Sequence, residues 1–259
     1  MAGDTVASSE EKRYAEDARP QTRDSKAARS RSRKRKQHTP PASKDSSPAP
    51  KGSAPLPTPS PTPMPSARPL ALLVCSIGNP GPTYANTLHS AGHTVLNRLA
   101  DYLGYTSFQK DRSLGNGLVS KNPYTSSNGG DWTLWQSTSY MNESGKGVRA
   151  AWTNWSKGYA EGEARLVVLH DELEKPLGAV SLKTTQGASA RGHNGLKSIL
   201  SVMGKTPFVR VGIGIGRPES RSSDDVAQYV LQKMTAAERG RIEESVEGVV
   251  QVLRTLELG

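Results

Sequence analysis

Leu70-Ala71-Leu72-Leu73-Val74-Cys75-Ser76-Ile77 runs directly into Gly78-Asn79-Pro80-Gly81-Pro82-Thr83-Tyr84-Ala85-Asn86-Thr87-Leu88-His89-Ser90-Ala91-Gly92. The junction between the two segments decides how the chain is read. The first is continuously apolar rather than alternating, the pattern of a strand covered on both faces, as in a parallel sheet. It stops at Gly78 in a loop of turn residues. Beyond His89 the apolar residues Val95, Leu96, Leu99 and Leu103 recur on one helical face. Buried strand, polar loop and helix are the opening of an α/β unit. The loop between them delivers an amide (Asn79) and an imidazole (His89), a common way to place reactive groups on a rigid scaffold.

The same alternation continues downstream. Gly115–Ser120 and Trp132–Gln136 read as paired strands joined by a polar loop over 122–130, and Ser144–Trp155 as a helix. Arg165–Leu169 is a second buried strand. A strand at Ala179–Lys183, a helix at Asn194–Met203 and a strand at Phe208–Ile215 follow. Thr235-Ala236-Ala237-Glu238 has capping-box spacing and opens one last helix, with Ile242, Val246, Val249, Val250 and Leu253 on one face. The expected fold is a single α/β domain with a central mixed, partly parallel sheet flanked by helices.

That domain is expected over 69–259, because residues 1–68 have a different composition. The first 70 residues hold 12 of the 18 prolines, one aromatic (Tyr14), and 14 Lys/Arg against 7 Asp/Glu; the rest holds 20 against 17. A segment this polar and basic cannot bury enough apolar surface to offset chain entropy, so a disordered tail is expected. The alkaline isoelectric point therefore describes the tail more than the domain. Within it, Arg29–Lys36 (RSRSRKRK) fits a nucleic-acid arm, a nuclear-import-like patch or a solvated linker with no partner. The prolines of 48–65 favour an extended spacer. No signal peptide or membrane span is visible, and acidic residues from Asp4 to Asp24 argue against a mitochondrial transit peptide. The single Cys75 excludes an internal disulfide and suits a reducing compartment. A cytoplasmic location is expected.

His89 is the candidate base, since a neutral imidazole near pH 7 can take a proton from water; the alternative is a helix-cap or surface histidine. Asp171 follows the strand Arg165–Leu169, where α/β sheets present functional groups. It can orient an imidazole or cap a turn. Asn79, Asn142 and Asn194 are amides that donate to a carbonyl or accept from a hydroxyl or water without transferring protons. Each is also a common turn residue. His89 and His93 share the i, i+4 spacing of zinc ligands, but no glutamate lies between them and no third ligand is suitably spaced. Gly212–Gly216 lies in a strand with Pro218 after it, unlike a dinucleotide loop. Neither a metal nor a cofactor is expected.

Four blocks in order carry a resemblance: Gly78–Gly92, Tyr140-Met141-Asn142-Glu143-Ser144-Gly145-Lys146, His170-Asp171-Glu172-Leu173 and Arg191-Gly192-His193-Asn194-Gly195-Leu196-Lys197. They are similar to the motifs of bacterial-type peptidyl-tRNA hydrolases, over about Leu70 to Gly259 and none of the tail. The resemblance implies an enzyme that cleaves the ester between peptide and tRNA, with His89, Asp171 and Asn79 catalytic and Asp171 paired with His89. Tyr84, Met141, Asn142 and Asn194 would bind substrate, and Lys183 and Arg210 the tRNA. Peptidyl-tRNA would be the partner, with no obligatory protein partner, no membrane and a monomeric state. The rival is a non-catalytic RNA-binding relative on the same scaffold; the joint presence of Asn79, His89 and Asp171 favours the enzyme. The chain departs from the bacterial pattern at Leu88, at Ser90, and over Gln186–Arg191, where a glycine-rich run is expected. The long tail suggests a eukaryotic relative.

Overall fold

Strand β1 (Ala71–Ser76) is buried along its whole length at the centre of the sheet, as its unbroken apolar run requires. The computed structural model describes residues 69–124 and 131–259. The expected disordered tail and most of the 122–130 loop lie outside the described residues. After β1 come helix α1 (Ala91–Leu103), strands β2 (Gln109–Lys110), β3 (Leu118–Lys121) and β4 (Trp132–Gln136), then helix α2 (Ser144–Trp155). Strands β5 (Ala164–Glu172) and β6 (Val180–Lys183), helix α3 (Asn194–Met203) and strand β7 (Val209–Gly214) follow. Helices α4 (Ser223–Leu231), α5 (Ala236–Glu244) and α6 (Val246–Glu257) close the domain.

The sheet order is β2-β3-β4-β1-β5-β7-β6. The inner strands β4, β1, β5 and β7 are parallel, while β2, β3 and β6 add antiparallel edges. The mixed, partly parallel sheet expected from the sequence is thus present. One face packs Leu72, Val74, Val167 and Leu169 against Val95, Leu96 and Leu99 of α1 and Val249 and Leu253 of α6. The other packs Leu73, Cys75 and Val168 against Val148 and Ala151 of α2 and Leu196 and Ile199 of α3. Each fully buried Leu or Ile contributes roughly 2 kcal/mol of transfer free energy, so this two-sided core dominates the stabilisation.

The structure amends three boundaries. β5 continues through His170-Asp171-Glu172, pairing in register with Gly212, Ile213 and Gly214, so Asp171 stands on the strand rather than after it. The single closing helix is two: the chain breaks at Ser245, whose Oγ donates to the Ile242 carbonyl at 2.6 Å. That local bond competes with helix continuation. Helix α4, absent from the sequence reading, starts at Ser222, which accepts from the Asp225 N–H. The Thr235–Glu238 capping box forms as expected.

Candidate active site

The parallel strands end together, and the loops leaving them meet over the C-terminal edge of the sheet, where open α/β sheets hold their ligands. Asp171 reaches this edge on β5 and is almost wholly buried. Three imidazoles surround it. His89, in the 3-10 turn Leu88–Ser90 ahead of α1, brings Nδ1 to 2.9 Å from Asp171 Oδ1. His193 brings Nε2 to 2.9 Å from the same oxygen. His170 donates from Nδ1 to the Asp171 backbone carbonyl at 2.6 Å. The ring centroids of His89 and His193 lie 5.1 Å apart, and those of His170 and His193 5.3 Å.

Local chemistry fixes the protons. His193 is the N-cap of α3, and its Nδ1 accepts the Leu196 N–H at 3.3 Å. An Nδ1 that accepts carries no hydrogen, so the neutral ring bears its proton on Nε2 and donates it to Asp171. His89 likewise donates from Nδ1 when neutral, which leaves its Nε2 free of the proton. Burial alone would raise the Asp171 pKa, but the charge and hydrogen bonds of the two imidazoles hold the carboxyl well below the usual carboxylate range. His170 is pushed down to about 4, first by burial and then by His193, so it is neutral at pH 7.

Among the described residues, His89, Asp171 and His193 form a group with three potential metal-ligand atoms, all within 4.8 Å of one another. The cap on His193 works against a cation there. Metal on Nε2 of a neutral ring would force the proton to Nδ1, against the Leu196 N–H. His89 Nδ1 and His193 Nε2 are both engaged with Asp171 Oδ1 by hydrogen bonds.

The remaining candidates fall into two groups. Asn79 Oδ1 accepts the Met141 N–H at 2.8 Å, tying the Gly78–Gly92 loop to the 3-10 turn Met141–Glu143. The bond also fixes the amide, since a flipped Nδ2 would face a donor, which leaves the Asn79 N–H groups to donate elsewhere. Met141 is buried against Ile77 and Leu196. A Cβ on Gly195 would overlap its sulphur, which is why the first turn of α3 can come so close. Asn142 and Asn194 are exposed on neighbouring turns, and Asn194 Oδ1 lies 3.4 Å from Lys197 Nζ. The Tyr84 ring meets Tyr140 edge-on at 6.2 Å. The two cations differ. Lys183 is partly exposed and paired with the carboxylate of Glu172. Arg210 is 3% exposed, and its guanidinium is spent on the carbonyls of Ala188 and Ser189.

Sequence reasoning did not assign His193 to the site, although it lies in a quoted motif one residue before Asn194; a histidine at a helix N-cap was the available signal. It also missed a clasp on the first loop. Lys233, just past α4, donates from Nζ to the carbonyls of Pro82 at 2.9 Å and Ala85 at 2.5 Å, and the Met234 N–H bonds the Asn86 carbonyl. The departures at Leu88 and Ser90 face inward. Leu88 joins the core, and Ser90 Oγ donates to the Tyr84 carbonyl at 2.9 Å, so both hold the loop in place.

Residues 73–258 match the peptidyl-tRNA hydrolase family profile. The peptidyl-tRNA hydrolase of Mycolicibacterium smegmatis is 40% identical over 176 residues, 68% of this chain and 85% of that protein. A probable peptidyl-tRNA hydrolase of Schizosaccharomyces pombe is 37% identical over 176 residues, covering 67% and 77%. The crystal structure of the Acinetobacter baumannii peptidyl-tRNA hydrolase superposes with a TM-score of 0.57 at 32% identity, covering 72% of this chain and 88% of that one.

Proposed function

The chain belongs to the peptidyl-tRNA hydrolase family and hydrolyses peptidyl-tRNA, and on that premise we propose how its site cleaves the ester between a peptide and the ribose of tRNA. His89 takes a proton on Nε2 from water as that water attacks the ester carbonyl. Asp171 holds the Nδ1–H and stabilises the imidazolium as it forms. Negative charge then gathers on the carbonyl oxygen, where the fixed N–H groups of Asn79 and the amide of Asn142 donate to it. Collapse breaks the bond to the ribose oxygen, His89 returns the proton to that oxygen, and peptide acid and free tRNA leave.

The observation that carries this reading is the 2.9 Å contact between His89 Nδ1 and a buried carboxylate. A binding module has no use for an oriented base. Asn194, at the start of α3, positions water or substrate, and Tyr84 and Met141 line the peptide side. Lys183 contacts the tRNA backbone. No helix among the described residues is long and apolar enough to cross a membrane. The catalytic assembly proposed here needs no residue from a partner, in keeping with the monomer expected from the resemblance, and the lone buried Cys75 fits the expected cytoplasmic setting. The direct test is release of tRNA from an N-blocked aminoacyl-tRNA by the purified protein, with and without chelator. Turnover insensitive to chelator is expected; loss of turnover on chelation would overturn the metal-free mechanism.

A further inference from the structure

We propose that Arg210 is a positioning residue: it fastens the 184–192 loop to β7 and so holds His193 on Asp171, rather than contacting tRNA phosphates. The inference rests on the His89–Asp171 reading above. Arg210 sits on β7 with its side chain in the interior, 5.5 Å over the Phe208 ring. Its guanidinium donates to the Ser189 carbonyl at 3.1 Å and to the neighbouring carbonyl of Ala188. Two consecutive carbonyls suit a planar fork of donors, which lysine lacks.

The loop has a second tie, to the residue that leads into the same strand. Gln186 Oε1 accepts the Phe208 N–H at 3.2 Å, and its Nε2 donates to the Thr184 carbonyl at 3.2 Å. Beyond these ties the backbone turns sharply. Arg191 has φ +46°, a left-handed conformation unfavourable for a residue with a Cβ, and Gly192 follows at φ +89°. Such a conformation persists only where its surroundings hold it. The next residue is His193, which caps α3 and donates to Asp171. The path runs from Arg210 through the carbonyls at 188–189 and the turn at 191–192 to the carboxylate that orients His89. Lys183 is the direct cross-strand neighbour of Arg210 yet remains partly exposed, so the two cations divide the work.

Turnover of N-blocked aminoacyl-tRNA across a salt series should be compared for wild type, Arg210→Lys, Arg210→Gln, Gln186→Ala and Lys183→Ala. Both Arg210 variants are expected to lower kcat about tenfold through misplaced groups, with KM and its salt dependence unchanged. Gln186→Ala should act in the same sense though it removes no charge. With His193 loosened, Asp171 acts on His89 alone, so the acid limb of the kcat/KM profile should move to higher pH in all three. Full activity in Arg210→Lys, together with a raised KM and a salt slope reduced by about one in Arg210→Gln, would make Arg210 a phosphate contact and overturn the proposal. A lowered Tm with unchanged kcat and pH profile would also overturn it. Amide exchange at Leu196, whose N–H bonds His193, reads the same coupling without substrate. It should accelerate in Arg210→Gln and Gln186→Ala, and an unchanged rate counts against the proposal. An inactive wild type would instead refute the catalytic reading, leaving the exchange result to judge the coupling.

Discussion

Two imidazole sites in this domain have opposite characters. At the end of β5, His89 and His193 share the Asp171 carboxylate. Beneath the Gly78 turn, His93 lies against Ser76 Oγ at 2.7 Å, and its Nε2 has no hydrogen-bond partner among the described residues. Burial pushes His93 down to about 4. A Cβ on Gly78 would come 2.6 Å from the His93 ring, so the imidazole works as a fitted wedge under the loop that carries Asn79. The residue type is the same in both places. In one place the rings donate to a shared carboxylate; in the other, burial without a charged partner pushes the imidazole down and keeps it neutral at pH 7.

The comparison breaks if the two sites exchange phenotypes. Asp171→Asn and His89→Ala should each lower kcat/KM by roughly three to four orders of magnitude while shifting Tm little. Their double variant should be scarcely worse than either single one, because the pair acts as a unit; effects that multiply in full would refute the coupling. His93→Ala should do the reverse, costing about 2–3 kcal/mol through the cavity and the unpaired Ser76 hydroxyl, with kcat nearly unchanged in the protein that remains folded.

Acid stability sharpens the same contrast. His93 and His170 both fall to about 4 in the folded state from an ordinary value of 6.5. The unfolded chain therefore binds more protons between those values, and the stabilisation present above pH 6.5 is lost as pH falls toward 4. Each contributes on the order of 3 kcal/mol by linkage. Chemical denaturation across that range should show a slope of about two protons in wild type and about one in His93→Ala. An unaltered slope in the variant would mean that His93 is not the neutral wedge described here.

Smaller effects follow at the periphery of the carboxylate site. His193→Ala should lower kcat about tenfold and stability by about 1 kcal/mol, the latter from the lost cap on Leu196. Lys183→Ala should raise KM a few-fold, leave kcat alone and reduce the salt slope of binding by about one. If the slope does not change, Lys183 serves only to neutralise Glu172. Burial would raise the Glu172 pKa, but the neighbouring ammonium holds it below the usual range.

The difference between the two imidazole sites also separates what could be read in the sequence from what could not. β1, the Gly78–Gly92 loop and α1 were legible because an unbroken apolar run and an i, i+4 stripe each have one physical reading. His89 and Asp171 were legible as types, and their pairing came from resemblance. His193 could not be placed, because its role depends on a hydrogen bond across 22 positions and its local pattern is only that of a helix cap. Arg210 reads as a surface charge in any one-dimensional view; only the returning loop makes it internal. Helix α4 escaped notice because it fully buries a single residue, Val230, and so lacks an apolar stripe. The break at Ser245 was hidden because Ile242 and Val246 enter the same core on either side of it.

His89 and Asp171 are 82 positions apart. During translation the histidine is made long before its carboxylate. Until β5 has been synthesised and laid beside β1, His89 is an ordinary imidazole on an unfinished sheet. A growing polypeptide is itself a peptide esterified to tRNA, the very bond this family breaks. By drawing the base from the first strand-loop unit and its orienting group from a much later strand, the fold delays completion of the pair until the chain has been made at least as far as Asp171.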